Sequence, residues 1–457
     1  MRTFRRLYKT LFLLIIINIT LVITFVNDLF AQLAQSGEGF SPAGILLKSS
    51  IYAVLFALFI VLEIFPCYEK GLKLRLQLLA GGYELILTSI YALIAELVFI
   101  LLFLWPRMGL SRLFVINLAV GYCILLLHYL NGFWRTAFCS SQLGIGRRLV
   151  MLFFWWVFPI NVFLFYGWCS IVRRELLTAK NKYLLDTARV QNAVCHTRYP
   201  VLMVHGIFFR DWQYLDYWGR IPKALKQNGA NIYYGKQQSS LAVADSAQEL
   251  KAELERVLEL TGAEKVNIVA HSKGGLDARY VISKLGMAEH VASLTTINTP
   301  HRGCQFADAL LGSLPKWLIN FVSRRYNSLF HALGDDKPDF LAGVTDLTAA
   351  ACARFNEEVR DVPGIYYQST MSKMRGFHST FLPLGFTYLL SKHYEGDNDG
   401  LVSVASASWG NYLGLVKADR EGISHADMID LTHKDIRGFD VSEFYVKLLA
   451  DLKEKGF

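Results

Sequence analysis

The chain has 457 residues, 53% of them hydrophobic, with 47 Lys and Arg against 38 Asp and Glu. That length exceeds one ordinary domain of roughly 100–200 residues, and the apolar fraction excludes a disordered chain. Residues 1–172 hold 13 of the basic residues and only 6 of the acidic ones, so the cationic excess lies among apolar runs. This points to a membrane partner and away from nucleic acid.

Five apolar stretches follow one another in that first part: Thr10 to Val26, Ile45 to Phe65, Tyr83 to Trp105, Leu113 to Leu130 and Leu149 to Val172. Each is near the ~20 residues that cross a bilayer core, and backbone groups in lipid must be satisfied internally, so each is expected to be a transmembrane helix. Cations sit at the N-terminus (Arg2, Arg5, Arg6, Lys9), after the second stretch (Lys70, Lys73, Arg75) and after the fourth (Arg135, Arg147, Arg148). The alternate connections carry only Lys48, Arg107 and Arg112. The positive-inside rule then puts the N-terminus in the cytoplasm, and five crossings deliver Arg173 to the other side. The expected organisation is an inner-membrane block over 1–172, a charged linker over 173–195 and an exported domain over 196–457. A cleaved signal peptide with small residues in Phe30-Ala31-Gln32-Leu33-Ala34 is the alternative for the first stretch; it leaves four spans and the same exported half. Glu96 and His128 fall inside spans, where Glu96 is expected to be protonated or paired within the bundle in a structural role, while Lys48 and Glu84 at span ends can snorkel.

From residue 196 the apolar runs shorten. Val201–Val204, Val266–Val269 and Leu294–Ile297 read as buried strands, and a helix is expected from Ser246, through the capping box Ser246-x-x-Glu249, to Leu260. Strands alternating with helices imply a mostly parallel sheet covered on both faces. Seven Cys form no C-x-x-C pair, so a zinc ribbon or thioredoxin-type motif has no support. Cys195, Cys304 and Cys352 allow one disulfide, with the pairing open.

The strongest chemical signal is Ala270-His271-Ser272-Lys273-Gly274, a serine on a tight turn between a strand and a helix starting near Leu276. This is a nucleophile elbow of the G-x-S-x-G kind with Ala270 in the first small position. An ordinary loop with Ser272 as N-cap is the competing reading. Val204-His205-Gly206-Ile207-Phe208 ends the first strand, and the backbone N–H groups of Ile207 and Lys273 are the expected oxyanion donors. A base and an orienting acid must follow in the chain. Asp397 and Asp399 in the turn before an expected strand Leu401–Ala405, with His425 and His433, are left open by spacing alone.

These pieces together resemble the proteobacterial triacylglycerol lipases of the α/β-hydrolase fold over about 199–457. The likeness is carried by Tyr199–Gly206, Asp216–Leu225, Lys265–Gly275, Asn298–Gly303, Ala353–Asn356, Gly364–Tyr367, Asn398–Val402 and His425-Ala-Asp427. The resemblance implies Ser272 as nucleophile, Asp399 as acid and His425 as base, with no cofactor needed for chemistry. It also implies a structural calcium with Asp427 as one ligand, although Phe377–Glu395 holds no Asp to serve as the family's earlier ligand. Leu310, Leu314, Trp317, Leu318, Phe321 and Val322 form an apolar stripe that reads either as a core helix or, by position, as the family's lid. The expected function is a membrane-anchored serine ester hydrolase acting on lipid esters. The alternatives are a phospholipid- or lipoprotein-directed esterase or acyltransferase on the same triad, or a membrane receptor or transport component whose hydrolase-like domain only binds.

Overall fold

The computed structural model describes residues 2–35, 42–154, 157, 159–189, 192–207, 217–238, 240–332, 335, 338–419 and 422–457. Phe208, Asp216 and the middle of the fifth apolar stretch at 155, 156 and 158 lie outside the described residues. The chain divides into two compact units, Met1–Leu185 and Asp186–Phe457.

The first unit is helical. It comprises α1 (Arg2–Ile17), α2 (Ile19–Gln35), α3 (Pro42–Ile64), α4 (Leu74–Phe99), α5 (Trp105–Met108), α6 (Arg112–Cys139), α7 (Ile145–Phe154) and α8 (Ile160–Arg189). A π-helical segment, Ile100–Leu104, joins α4 to α5. Three described helical stretches, Pro42–Ile64, Leu74–Met108 and Arg112–Cys139, are long and apolar enough to cross a membrane. The count is four if α1 and α2, bent by 70° at a one-residue break, form a single span. The fifth expected span is instead divided between α7 and α8, and the charged stretch from Arg173 continues α8 as helix to Arg189.

Small residues let these helices approach: a Cβ at Gly82 would lie 2.8 Å from the Gly132 carbonyl oxygen. Several buried polar side chains of the unit are paired, Glu96 among them as expected. Asn18 Nδ2 donates to Glu96 Oε2 at 2.7 Å and Asn117 Nδ2 to Asn18 Oδ1 at 2.8 Å. His128 bonds Thr88 Oγ1 at 2.8 Å and also Glu63. Glu84 departs from expectation, for it is buried and takes Arg6 Nε at 3.0 Å.

The second unit is a six-stranded parallel sheet of order β2-β1-β3-β4-β5-β6. Its strands are β1 (Val201–Val204), β2 (Ile232–Tyr234), β3 (Val266–His271), β4 (Val291–Ile297), β5 (Tyr366–Ser372) and β6 (Asn411–Val416). Helices α9 (Ile221–Gln227), α10 (Val243–Thr261) and α11 (Gly274–Lys284) alternate with the first four strands. Between β4 and β5 come α12 (Gln305–Ser313), α13 (Lys316–Ala332), α14 (Phe340–Thr345) and α15 (Ala349–Glu358). Between β5 and β6 lie α16 (Leu382–Glu395) and α17 (Val404–Ala407), and α18 (Val441–Glu454) closes the unit.

Strand side chains alternate between two cores. Val201, Met203 and Val269 face Trp218, Ile221, Leu225, Tyr445 and Leu449 of the α9 and α18 side. Leu202, Val204, Ile268 and Ala270 face Leu250, Leu254 and Val257 of α10 and Val281 of α11. Both faces being covered explains why these strands read as continuous apolar runs.

Two local expectations fail for tertiary reasons. Helix α10 starts three residues before Ser246, because Asp346 Oδ2 accepts the Val243 N–H at 2.7 Å. Glu249 accordingly caps Gln238 N at 2.6 Å, leaving Ser246 buried inside the helix. Leu401–Ala405 is not a strand: Asp399 Oδ1 accepts the N–H of Leu401 and Val402, and Ser403 then N-caps α17. Since Leu254 is wholly buried in the second core, Leu254→Ala is expected to destabilise this unit by about 2–5 kcal/mol, measurable as a shifted denaturation midpoint of detergent-solubilised protein.

Candidate active site

Strand β3 is buried along its length and hands the chain to Ser272 at φ +57°. A non-glycine residue in that region costs on the order of 1–2 kcal/mol, so the surroundings must enforce it. They do so through Ser272 N donating to Ile297 O at 3.0 Å and Gly275 N to Ser272 O at 3.1 Å. Close packing requires glycine on both sides of the serine. A Cβ at Gly274 would lie 2.4 Å from His205 O, and one at Gly206 would lie 2.6 Å from Ser272 Cβ. Ala270 is wholly buried and pairs with Val204, so the first small position of the elbow accepts a methyl group.

Asp399 and His425 meet. His425 Nδ1 donates to Asp399 Oδ2 at 2.6 Å and His425 N to Asp399 O at 2.9 Å. The assigned bond leaves Nε2 as the nitrogen free to accept a proton. The His425 ring packs 4.4 Å from the ring of His271, the residue before Ser272. Among the described residues, the Ser272 hydroxyl makes no hydrogen bond. Asp397, by contrast, has a side chain 61% exposed and pairs with Lys373, and His433 is also exposed.

Asn298 is a member of this cluster that spacing did not single out. Held at φ +51°, it donates Nδ2 to Asp399 Oδ2 at 2.6 Å and to Ser372 Oγ at 2.8 Å. Its only sequence signal was its place at the head of Asn298–Gly303, just after β4.

The backbone N–H groups of Ile207 and Lys273 have no acceptor among the described residues, as oxyanion donors require. The turn beneath them is fixed by Tyr217, whose hydroxyl accepts from Gly206 N at 2.8 Å and bonds His271 Nδ1 at 2.8 Å. Burial holds His271 well below the usual imidazole range, so it stays neutral. His205 is buried and its Nδ1 lies 3.0 Å from Gly206 O, a loop-shaping contact. The Lys273 side chain is buried too, with Nζ donating to Asp277 Oδ1 and Ser246 Oγ, each at 2.8 Å. Burial pushes the Asp277 carboxyl up to about 6.

The loop bearing His425 is tied by side chains. Asp427 Oδ2 accepts from Ser424 N at 2.9 Å and Ser424 Oγ at 2.7 Å. Arg220 donates Nε and Nη2 to the two oxygens of buried Asp430, each at 2.7 Å, and Nη1 to Asp435 at 2.9 Å. A calcium site wants six or more oxygens and normally more than one carboxylate. Asp427 is engaged by Ser424, Asp430 and Asp435 are engaged by Arg220, and no group of three His, Cys, Asp or Glu gathers among the described residues. The donors present do not fit the calcium that the resemblance implied through Asp427.

The apolar stripe of α12 and α13 is not a core helix, for Leu310, Trp317 and Phe321 are 42%, 69% and 49% exposed. All seven cysteines are free.

Residues 199–397 match the alpha/beta hydrolase fold family. A triacylglycerol lipase of Pseudarthrobacter phenanthrenivorans is 38% identical over 172 residues, which cover 35% of this chain and 53% of that one. Triacylglycerol lipase 2 of Saccharomyces cerevisiae is 30% identical over 263 residues, covering 53% of this chain and 75% of that one. For a Vibrio cholerae triacylglycerol lipase the identity is 29% over 267 residues, with 52% and 82% covered. The chain thus spans about half the length of some curated relatives, 53% and 48% for two of them, and more of others. It belongs to the α/β-hydrolase fold family, and within that family to the group of the triacylglycerol lipases.

Removing the Arg220 guanidinium would leave Asp430 buried without its counter-charge. Arg220→Gln is expected to cost about 3–5 kcal/mol of stability, read by urea unfolding. Adding EGTA to the unsubstituted protein is expected to leave its melting temperature unchanged; a drop reversed by calcium would show that an ion is bound after all.

Proposed function

We propose that this protein is a membrane-anchored serine hydrolase of carboxylic esters, a lipase acting on lipid esters. The observation that carries the reading is the buried His425–Asp399 bond set against an elbow that holds Ser272 at positive φ. The identity to curated triacylglycerol lipases supports the substrate class. The three or four helices apolar enough to cross a membrane support the anchoring.

His425 Nε2 removes the proton from Ser272 Oγ as the oxygen attacks the ester carbonyl, and Asp399 stabilises the imidazolium that forms. The charge that develops on the carbonyl oxygen falls to the N–H groups of Ile207 and Lys273, which need no reorganisation to receive it. Collapse breaks the ester bond, and His425 returns the proton to the departing alcohol. Water, deprotonated by His425, then attacks the acyl-serine and releases the fatty acid. The exposed stripe around Trp317 and Phe321 suits a mobile lid whose apolar face meets lipid or covers the acyl pocket.

Full-length protein in detergent is expected to hydrolyse long-chain p-nitrophenyl esters and triacylglycerol. Ser272→Ala is expected to lower kcat by roughly 10⁵–10⁶-fold and Asp399→Asn by about 10⁴-fold. Full turnover in the Ser272→Ala protein would refute the mechanism. Transfer of the acyl group to an added alcohol in preference to water would favour an acyltransferase.

A further inference from the structure

We infer that the chain crosses the membrane four times and not five, and that the hydrolase unit therefore stands on the cytoplasmic side with the N-terminus. Neither described helical part of the fifth apolar run is long enough to cross by itself. Helix α7 has 10 residues, about 15 Å of length, and α8 from Ile160 to Val172 adds about 20 Å, each short of a bilayer core of ~30 Å.

The contacts of these two helices give their direction. Helix α7 starts beside the C-terminal end of α6, where Arg148 Nη2 donates to Ser140 O at 2.6 Å. Met151, a turn further on, packs with Leu79, Ala137, Trp168 and Val172. On the way back, Trp168 Nε1 of α8 donates to Thr136 Oγ1 at 3.0 Å. Seven residues later Glu175 accepts from Ser140 Oγ at 2.6 Å and Arg75 Nη1 at 2.8 Å. Lys180 Nζ then reaches Glu69 Oε2 at 2.9 Å. Helix α8 thus runs alongside α6 in the same direction and leaves at the end where α7 entered.

That end also holds the start of α1, since Arg6 bonds Glu84 and Lys9 bonds the Pro66 carbonyl. The N-terminus, the α3–α4 connection, the α6–α7 connection and the exit of α8 therefore share one side. The bent α1–α2 pair, α3, α4 and α6 make four crossings and return the chain to its starting side. Arg5, Arg6, Lys70, Lys73, Arg147 and Arg173 are among the cations of that side, and Arg107 and Arg112 flank the opposite connection. Cation-rich connections stay in the cytoplasm. Beyond Leu185, no described helix is long and apolar enough to cross again. Export of the C-terminal half, expected from five crossings, is replaced by cytoplasmic placement.

The side follows from the first unit alone. What it adds to the proposed function rests on that reading: the lipid esters are those of the cytoplasmic leaflet, met in a compartment that keeps thiols such as Cys195, Cys304 and Cys352 reduced.

The test uses the full-length chain in a bacterial host, with green fluorescent protein or alkaline phosphatase fused after Phe457. The phosphatase needs disulfides and is active only when exported. The expected result is a fluorescent fusion, an inactive phosphatase fusion, and labelling of Leu110→Cys by a membrane-impermeant maleimide in spheroplasts above that of the unsubstituted chain. Leu110 is 77% exposed in the α5–α6 connection. An active phosphatase fusion would overturn the inference, as would Leu110→Cys that labels only after lysis. Esterase activity of the same membranes, with and without Ser272→Ala, is read separately; its absence beside a cytoplasmic reporter would refute the hydrolase and leave the four crossings standing.

Discussion

The candidate site depends on one buried carboxylate. Asp399 is wholly buried and accepts from four donors: Leu401 N, Val402 N, Asn298 Nδ2 and His425 Nδ1. A charge removed from water is tolerable only when its lone pairs are met in this way. The donors come from its own turn, from the end of β4 and from the loop after β6, so segments more than 100 residues apart in the chain must meet before the acid is satisfied. The imidazole gains its tautomer and its direction from the same arrangement. Asn298 contributes at the cost of a left-handed backbone, which the Asn298 Oδ1 bond from Ser372 N helps to hold.

The sequence was most informative where structure is local. The elbow is a single strand–turn–helix unit, so five consecutive residues announce it, and doubly covered strands announce themselves by unbroken apolar runs. It was least informative where remote partners decide. Asp346 starts α10 ahead of the capping box. The Asp399 carboxylate turns an apparent strand at Leu401 into a turn and short helix. The role of Asn298 requires β4 and the Asp399 turn to be neighbours, which no spacing encodes. Asp427 aligned with an ion ligand of the family, yet its oxygen serves Ser424, and the cation in its loop belongs to Arg220, some 200 residues earlier in the chain.

The helical first unit teaches the same lesson at larger scale. Hydropathy measures how apolar a run is, and a run buried against neighbouring helices is as apolar as one that crosses. Leu149–Val172 has the composition of a span, yet its described residues fall in two separate helices, α7 and α8. Its halves pair with each other and with α6 around Trp168 and Met151. In the four-crossing proposal, the parity of crossings turns on these two helices folding back instead of spanning.

Lys273 carries a different kind of consequence. Its amide has no acceptor among the described residues, while its ammonium is committed to Asp277 and Ser246. In the proposed mechanism the two ends of one residue thus serve separate tasks, oxyanion binding in front and structural cohesion behind. The residue after the serine is there held by its side chain, even though the chemistry asks only for its backbone, and replacing Lys273 would deprive the buried Asp277 carboxylate of this partner while leaving the amide in place.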